Sequence, residues 1–170
     1  LSGGTVTFTP QVFTPAAAPV AGYEATNYLQ VATSGQSAAG DYSAFFQRIE
    51  DVRTFAGQTA TLSFWAKASS GTPKIGLAYS QNFGSGGSSV VQNPISAVTI
   101  STSWARYSVT VAVASISGKT IGTNSSFEID FWLSAGSTLA TLASSIGIQN
   151  RSEEHTSELQ SRGLISYAVF

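Results

Sequence analysis

The chain has 170 residues, of which 42% are apolar and 10% charged, with 8 Lys and Arg against 9 Asp and Glu. This length and apolar content predict one globular domain. The near-neutral charge and the singly scattered basic residues exclude the Lys/Arg-rich surface that nucleic-acid binding needs, and the absence of Cys excludes disulfides and thiolate metal sites.

Segments rich in Val, Ile, Phe, Thr and Trp alternate apolar with polar residues and are separated by Gly, Ser, Asn and Pro, which is typical of short strands and turns. The pattern predicts strands over residues 5–9, 28–32, 44–51, 60–68, 74–81, 98–100, 105–114, 127–133 and 145–149. Residues 51–55 predict one helical turn or a bend, whereas 15–19 and 82–94 are predicted to be irregular. Short strands without amphipathic helices bury one face of each sheet against the other, so the sequence predicts a two-sheet antiparallel β-sandwich, a jelly roll.

Alternation within three strands assigns side chains to faces, because successive residues of a strand point to opposite sides of the sheet. In the strand at 60–68 it places Trp65 and Lys67 outward, opposite an inward set of Leu62, Phe64 and Ala66. In the strand at 127–133 it places Glu128, Asp130 and Trp132 outward, opposite an inward set of Phe127, Ile129, Phe131 and Leu133. The stripe Tyr107, Val109, Val111 and Val113 is predicted to face the core.

Catalytic and metal-binding patterns are sparse. Residues 1–150 contain neither Cys nor His, which excludes Ser-His-Asp and Cys-His triads and His-based zinc sites. Glu128 and Asp130 have a spacing that a glycosidase pair could use, although two such acids are more often part of a solvated face. They could also donate oxygens to a structural Ca2+, but no DxDxDG-like loop accompanies them. The sequence therefore predicts a protein that is not an enzyme and signals no cofactor and no metal.

The two outward tryptophans are the most informative candidates. An outward Trp either packs beneath a loop or a neighbouring subunit, or offers an apolar surface on which a sugar ring stacks. The jelly-roll strand order would make the strands of Trp65 and Trp132 neighbours in one sheet, which predicts the two rings within about 10 Å of each other. Lys67, Glu128 and Asp130 would then flank the rings as hydrogen-bonding groups, and Trp132→Ala would abolish binding with little loss of stability.

Four segments, residues 47–68, 81–87, 100–124 and 131–137, together resemble the carbohydrate-binding-module-like jelly-roll domain of bacteriophage tail and fibre proteins. The strand SFWAKA after an AGQT turn is similar to that of CenC-type carbohydrate-binding modules. The resemblance implies a β-sandwich of the galactose-binding or jelly-roll kind in a virion component that faces the host surface. It also implies a further strand after the position of Gln149, inside a sheet beside the N-terminal strands.

Residues 151–170 (RSEEHTSELQSRGLISYAVF) differ abruptly from the rest, since they contain the single His and three of the nine acids. All of them match an in-frame translation of a short-read sequencing adapter, a better explanation than a charged surface helix. We therefore expect residues 1–150 to be a truncated domain from an assembled metagenomic read, and 151–170 to be a non-native tail without functional residues. The start LSGGTVTF lacks Met and a basic signal region, so we also expect the chain to begin inside a longer protein.

Two structural expectations follow for this tail. Residues 151–160 should be exposed and without specific partners in residues 1–150. A lost natural strand would leave unpaired backbone groups and an open apolar strip. Residues 164–170 (LISYAVF) are short, β-prone and uncharged, so they should pair there as a surrogate strand in poor register.

The sequence and the resemblance together predict a non-catalytic domain of a phage tail or fibre that binds a host-surface glycan or polymer. The expected partners are that polysaccharide and other virion subunits, including further copies of this chain, and the expected location is the virion or the extracellular space. No run of about 18 apolar residues is present, so no membrane insertion is expected. Two alternatives remain: a purely structural or decoration domain of the virion, and an accessory carbohydrate-binding module of a secreted bacterial enzyme.

Overall fold

A computed structural model describes residues 1–14, 26–147 and 149, together with the backbone of 155–160. These residues form nine strands and one short 3-10 turn. The strands are β1 (Thr5–Val12), β2 (Asn27–Ser34), β3 (Tyr42–Ile49), β4 (Thr59–Ala68), β5 (Lys74–Asn82), β6 (Val91–Thr99), β7 (Ala105–Ala112), β8 (Ser126–Ala135) and β9 (His155–Gln160). The 3-10 turn spans Ser137–Leu139, between β8 and β9.

The strands form two antiparallel sheets. The five-stranded sheet has the order β1-β2-β9-β4-β7 and the four-stranded sheet has the order β3-β8-β5-β6. Pro10 and Pro94 lie in the edge strands β1 and β6, where a missing amide proton costs least. The architecture confirms the predicted fold class, a two-sheet antiparallel β-sandwich.

The core between the sheets is built by the predicted alternation. On β8 the inward residues Phe127, Ile129, Phe131 and Leu133 are all buried in the main core cluster. On β4 the inward residues Leu62, Phe64 and Ala66 join the same cluster, as do Val111 and Val113 at the end of the β7 stripe. Rings meet across the sandwich, since Phe64 of β4 contacts Phe131 of β8 at 5.4 Å between centroids. The faces assigned from sequence parity are therefore confirmed for all three strands.

Two predictions of local structure are wrong. The irregular stretch predicted at 82–94 includes the first four residues of β6, which pair with β5 across a register shift between Leu77 and Ala78. The strand predicted at 145–149 is absent from its described residues, because Ser144 and Ser145 have positive φ values of 54° and 58°. Residues in that left-handed region cannot continue a strand. The predicted bend after β3 is confirmed: the amide of Thr54 donates to the carbonyl of Asp51 at 3.0 Å.

The strand β9 corrects the expectation for the tail. It pairs with β2 over six residues and with β4 over three, so Ser157 lies opposite both Val31 and Ala68. The expectation that 151–160 has no specific partners is thus wrong for His155–Gln160. A surrogate strand was expected from 164–170, which lies outside the described residues. Backbone pairing demands little of side-chain identity, so the nearer segment can fill the position. The adapter origin of 151–170 stays a prediction.

The central position of β9 predicts a large effect of proline there. Ser157→Pro removes an amide proton from a strand paired on both sides, so we expect it to lower the free energy of unfolding by about 1–3 kcal/mol. Ser137→Pro is the matched control, because Ser137 opens the 3-10 turn, where proline is tolerated. Urea unfolding measures both. Equal stabilities of the two variants would mean that β9 does not hold the sheet together.

Candidate functional site

The predicted site residues divide between the two sides of the sandwich. Trp65 and Lys67 lie on β4 in the five-stranded sheet, whereas Glu128, Asp130 and Trp132 lie on β8 in the four-stranded sheet. Packed sheets are about 10 Å apart, and both sets face away from the core, so the whole sandwich separates the two rings. The expectation of one face with both tryptophans within about 10 Å is wrong. Sequence parity shows whether a residue faces in or out, but not which sheet its strand joins.

The outer face of the four-stranded sheet carries a connected polar group of side chains. We call it the carboxylate face and define it by Phe46 and Arg48 of β3, Ser80 of β5, Gln92 of β6, and Glu128 and Asp130 of β8. Strand register places them together, since Arg48 and Ser80 are both opposite Glu128, and Phe46 is opposite Asp130. Residues directly opposite in antiparallel strands share a face.

Glu128 is held by an ion pair and two hydrogen bonds. Its Oε1 lies 2.9 Å from Arg48 Nη2, and it accepts a hydrogen bond from Arg48 Nε at 2.9 Å. Ser126 Oγ donates to the same oxygen at 3.1 Å. The Glu128 side chain is 13% exposed and that of Arg48 is 58% exposed, so the carboxylate is held against the sheet while the guanidinium reaches solvent. Such charge-assisted bonds are stronger than bonds between neutral groups.

Asp130 lies deeper in the same face, at 9% exposure. Ser80 Oγ donates to Asp130 Oδ2 at 3.0 Å and accepts from Gln92 Nε2 at 3.2 Å, which links three strands through one polar chain. Burial raises the pKa of Asp130 to about 6, and the nearby Glu128 charge adds to the rise against the opposing bond from Ser80. Removing a carboxylate from water disfavours its charged form. Asp130 is therefore a polar group kept on this face at a cost in stability.

Phe46 supplies the aromatic surface of the carboxylate face. It is 57% exposed, and the guanidinium Cζ of Arg48 lies 5.5 Å from its ring centroid. Phe46 and Arg48 are not among the site residues predicted from the sequence, although the sequence contains a signal for them. Successive residues of a strand point to opposite faces, so only one of two consecutive phenylalanines can face the core. Phe45 does so, stacked on Phe131 at 5.0 Å, and parity then places Phe46 and Arg48 outside.

Trp132 continues this face beyond Asp130 but is covered. It is 7% exposed in a small cluster with Ala78, Ala143 and Ile146. We call residues 137–147, which follow β8 and contribute Ala143 and Ile146, the covering segment. The alternative of an outward Trp packed beneath a loop therefore describes Trp132. Replacing a buried Trp with Ala costs about 3–5 kcal/mol, so the expectation that Trp132→Ala leaves stability unchanged does not fit its burial.

Trp65 and Lys67 lie among other aromatic and basic residues on the five-stranded sheet. Trp65 is half-buried opposite Arg106, and Lys67 Nζ lies 5.6 Å from the ring centroid of Trp104. Trp104 also contacts Tyr28 edge-on at 5.5 Å. This aromatic and cationic surface lies on the opposite side of the sandwich from the carboxylate face and is a separate surface.

Within the part of the chain that the structure describes, no three His, Cys, Asp or Glu side chains are grouped so that they could hold a metal ion. The described residues also include no helix with the length and hydropathy of a membrane span.

Comparison with solved structures shows the fold. The chain is similar to a family 11 carbohydrate-binding module from Clostridium thermocellum, solved in complex with a β-1,3-1,4-mixed-linked tetrasaccharide, with a TM-score of 0.52, 13% identity, and coverage of 94% of this chain and 83% of that chain. It is also similar to the enzymatically active domain of tailspike protein 4 of bacteriophage CBA120, with a TM-score of 0.48 and 17% identity. That match covers 92% of this chain but spans only 17% of the tailspike chain. No protein-family model and no curated protein matches.

The burial of Asp130 gives a pH dependence of stability. Because its folded pKa of about 6 is above that of an exposed Asp, near 4, stability should fall as the pH rises from about 4 to 6 and stay lower above. Asp130→Asn removes this dependence. Relative to the variant, the unmodified protein should lose about 2 kcal/mol of unfolding free energy between pH 4 and pH 7 in urea titrations.

Asp41→Asn is the matched control, because Asp41 affects the pH dependence of stability in the opposite direction. The amides of Ser37 and Ala38 lower the pKa of Asp41, so its contribution is present at neutral pH and is lost on acidification. Parallel pH profiles for the unmodified protein and Asp130→Asn would contradict the burial of an ionisable carboxyl on this face.

Proposed function

We propose that this protein is a non-catalytic glycan-binding domain that takes its ligand on the carboxylate face. The observation that carries the proposal is the pair of oriented carboxylates, Glu128 and Asp130, beside the exposed ring of Phe46. A sugar ring presents apolar C–H groups on one face and hydroxyl groups at its edge. An aromatic ring and fixed carboxylates are the complementary groups.

The charge of the carboxylate face selects among glycans. Arg48 is neutralised by its ion pair with Glu128, which leaves Asp130 as the unbalanced charge. A polyanionic glycan would bring further negative charge to an ionised carboxylate, which is unfavourable in a poorly solvated site. The favoured ligand is a neutral glycan rich in hydroxyl groups, which donate hydrogen bonds to Asp130 and Glu128.

The geometry favours binding over hydrolysis. Glycosidase carboxylates flank the scissile bond, one protonating the leaving group and the other acting on the sugar carbon. Glu128 and Asp130 project from the same side of one strand, so both would contact the same side of a bound chain. The fold shared with the family 11 module, which was solved with a tetrasaccharide, supports the same reading.

The proposed setting is the surface of a phage virion, in a tail or fibre that contacts a host polysaccharide, with other virion subunits as partners. This part rests on the resemblance of residues 47–68, 81–87, 100–124 and 131–137 to phage tail and fibre domains. A decoration domain of the virion and an accessory module of a secreted bacterial enzyme are the competing settings. The separate surface at Trp65 and Trp104 is where a neighbouring subunit would pack.

A glycan array of bacterial surface polysaccharides and plant β-glucans tests the proposal. Phe46→Ala should weaken binding of any recognised glycan about three- to tenfold, the usual contribution of one aromatic contact. Phe8→Ala is the control, because Phe8 is 47% exposed on β1 in the other sheet, and its ring contacts Phe45 on the core side of β3 at 6.1 Å between centroids, not the carboxylate face. Equal losses in both variants would place the ligand elsewhere. An absence of glycan binding together with self-association would support the decoration domain.

A further inference from the structure

Trp132 and Tyr42 form a tilted aromatic pair beside the carboxylate face, with an angle of 47° between the ring planes. Their ring centroids are 5.4 Å apart. Asp130 and Trp132 occupy successive outward positions of β8, and two residues of a strand span about 7 Å. A chain of sugar rings that begins against Phe46 and Asp130 would reach this aromatic pair with a neighbouring ring, if the covering segment were not above it.

The covering segment packs over this aromatic pair in an arrangement that has two energetically unfavourable features. The indole Nε1–H of Trp132 is buried without a hydrogen-bond partner among the described residues. An unpaired buried donor is unfavourable. Ser144 and Ser145 adopt positive φ values, which residues other than glycine rarely adopt. Burial of apolar groups and a bond from Ser144 Oγ to the carbonyl of Leu77 at 3.2 Å oppose these costs.

The ends of the covering segment are suited to a hinge. It is flanked by Gly136 and ends at Gly147, whose φ of 72° suits glycine. Its 3-10 turn buries none of its own residues. Lifting the segment exposes the orphaned donor of Trp132 to solvent and lets Ser144 and Ser145 leave their positive-φ conformations. The closed state is held by the packing of Ala143 and Ile146, by the Ser144–Leu77 bond, and by the amide of Ala135, which donates to the carbonyl of Gly147 at 3.0 Å.

We propose that Trp132 and Tyr42 are a second sugar-binding subsite, covered in the free protein and exposed when the covering segment is displaced by a longer neutral oligosaccharide. This inference rests on the proposed glycan binding at the carboxylate face. A hydroxyl group of the second sugar would satisfy the Trp132 indole donor, and the ring would stack on the aromatic pair. A sugar too short to reach the pair would bind without opening the segment.

Gly76 provides a specific way to open the segment. It lies on β5 opposite Trp132, and a methyl group there would overlap the carbonyl oxygen of Ala143. Gly76→Ala should therefore push the covering segment away. Gly40→Ala is the matched control, since nothing lies near the position of its added methyl group. Ser145→Gly should act in the opposite direction, because glycine relieves the strain of the closed backbone.

The first measurement needs no ligand. Hydrogen exchange of the three tryptophan indole protons, followed by NMR, reports the opening above each ring. The Trp132 proton should exchange at least about tenfold faster in Gly76→Ala and about two- to fivefold slower in Ser145→Gly. Trp65 and Trp104 should be unchanged, and Gly40→Ala should match the unmodified protein. If the exchange rate of the Trp132 indole proton is unaltered in both test variants, the proposal that the covering segment can be displaced is wrong. If Gly76→Ala fails to fold, the exchange rate in Ser145→Gly alone decides the question.

The second measurement is calorimetric titration with glucose and with the β-1,3-1,4-mixed-linked tetrasaccharide. Gly76→Ala should bind the tetrasaccharide at least about threefold tighter, because opening no longer opposes binding, and should leave glucose affinity unchanged. If Gly76→Ala raises the exchange rate of the Trp132 proton but does not raise the affinity for the tetrasaccharide, the proposal of a second subsite is wrong. Binding at the carboxylate face is then still supported. If neither sugar binds, and the glycan array also finds no ligand, the proposed function and the subsite are both wrong.

Discussion

The position of β8 between β3 and β5 is the constraint on which the site depends. With neighbours on both sides, every backbone group of its central residues is paired, and its side chains alternate between the core and the outer face. Phe127, Ile129 and Phe131 fix the strand in the core. Their packing in turn fixes Glu128 and Asp130 on the other side, because a shift of one residue would exchange the two sets.

The outer face of β8 lowers the stability of the fold, and the packing of the core side of the strand offsets this loss. Asp130 is buried enough that ionisation is unfavourable, and its carboxyl is kept by one bond from Ser80. A solvent-exposed acid at this position would be more favourable for stability alone. Local costs of this kind are concentrated where a protein binds or reacts, because the group must be oriented before the ligand arrives. The proposed glycan binding would give such a purpose to the carboxylates of this face.

Much of the fold could be predicted from the sequence, because it depends on local alternation. The inward and outward sets of β4 and β8 follow from parity, and the turn chemistry between strands follows from Gly, Ser and Pro. The site could be predicted only in part. Placing Trp65 and Trp132 together required the sheet membership of β4, which depends on long-range pairing with β7 and β9 that single-strand patterns do not encode. The covering segment could not be predicted for a related reason, since residues 145–149 have strand-like composition, whereas Ile146 packs in the cluster of Trp132.

The most direct test of the central claim is to map the bound glycan by amide chemical-shift perturbation, with the mixed-linked tetrasaccharide or the strongest ligand from the array. If the carboxylate face is the site, the largest shifts will belong to β3, β5 and β8, centred on Phe46, Ser80 and Asp130, and they will weaken in Phe46→Ala. Shifts confined to β4 and β7, around Trp65 and Trp104, would contradict the assignment and place sugar binding on the opposite side of the sandwich.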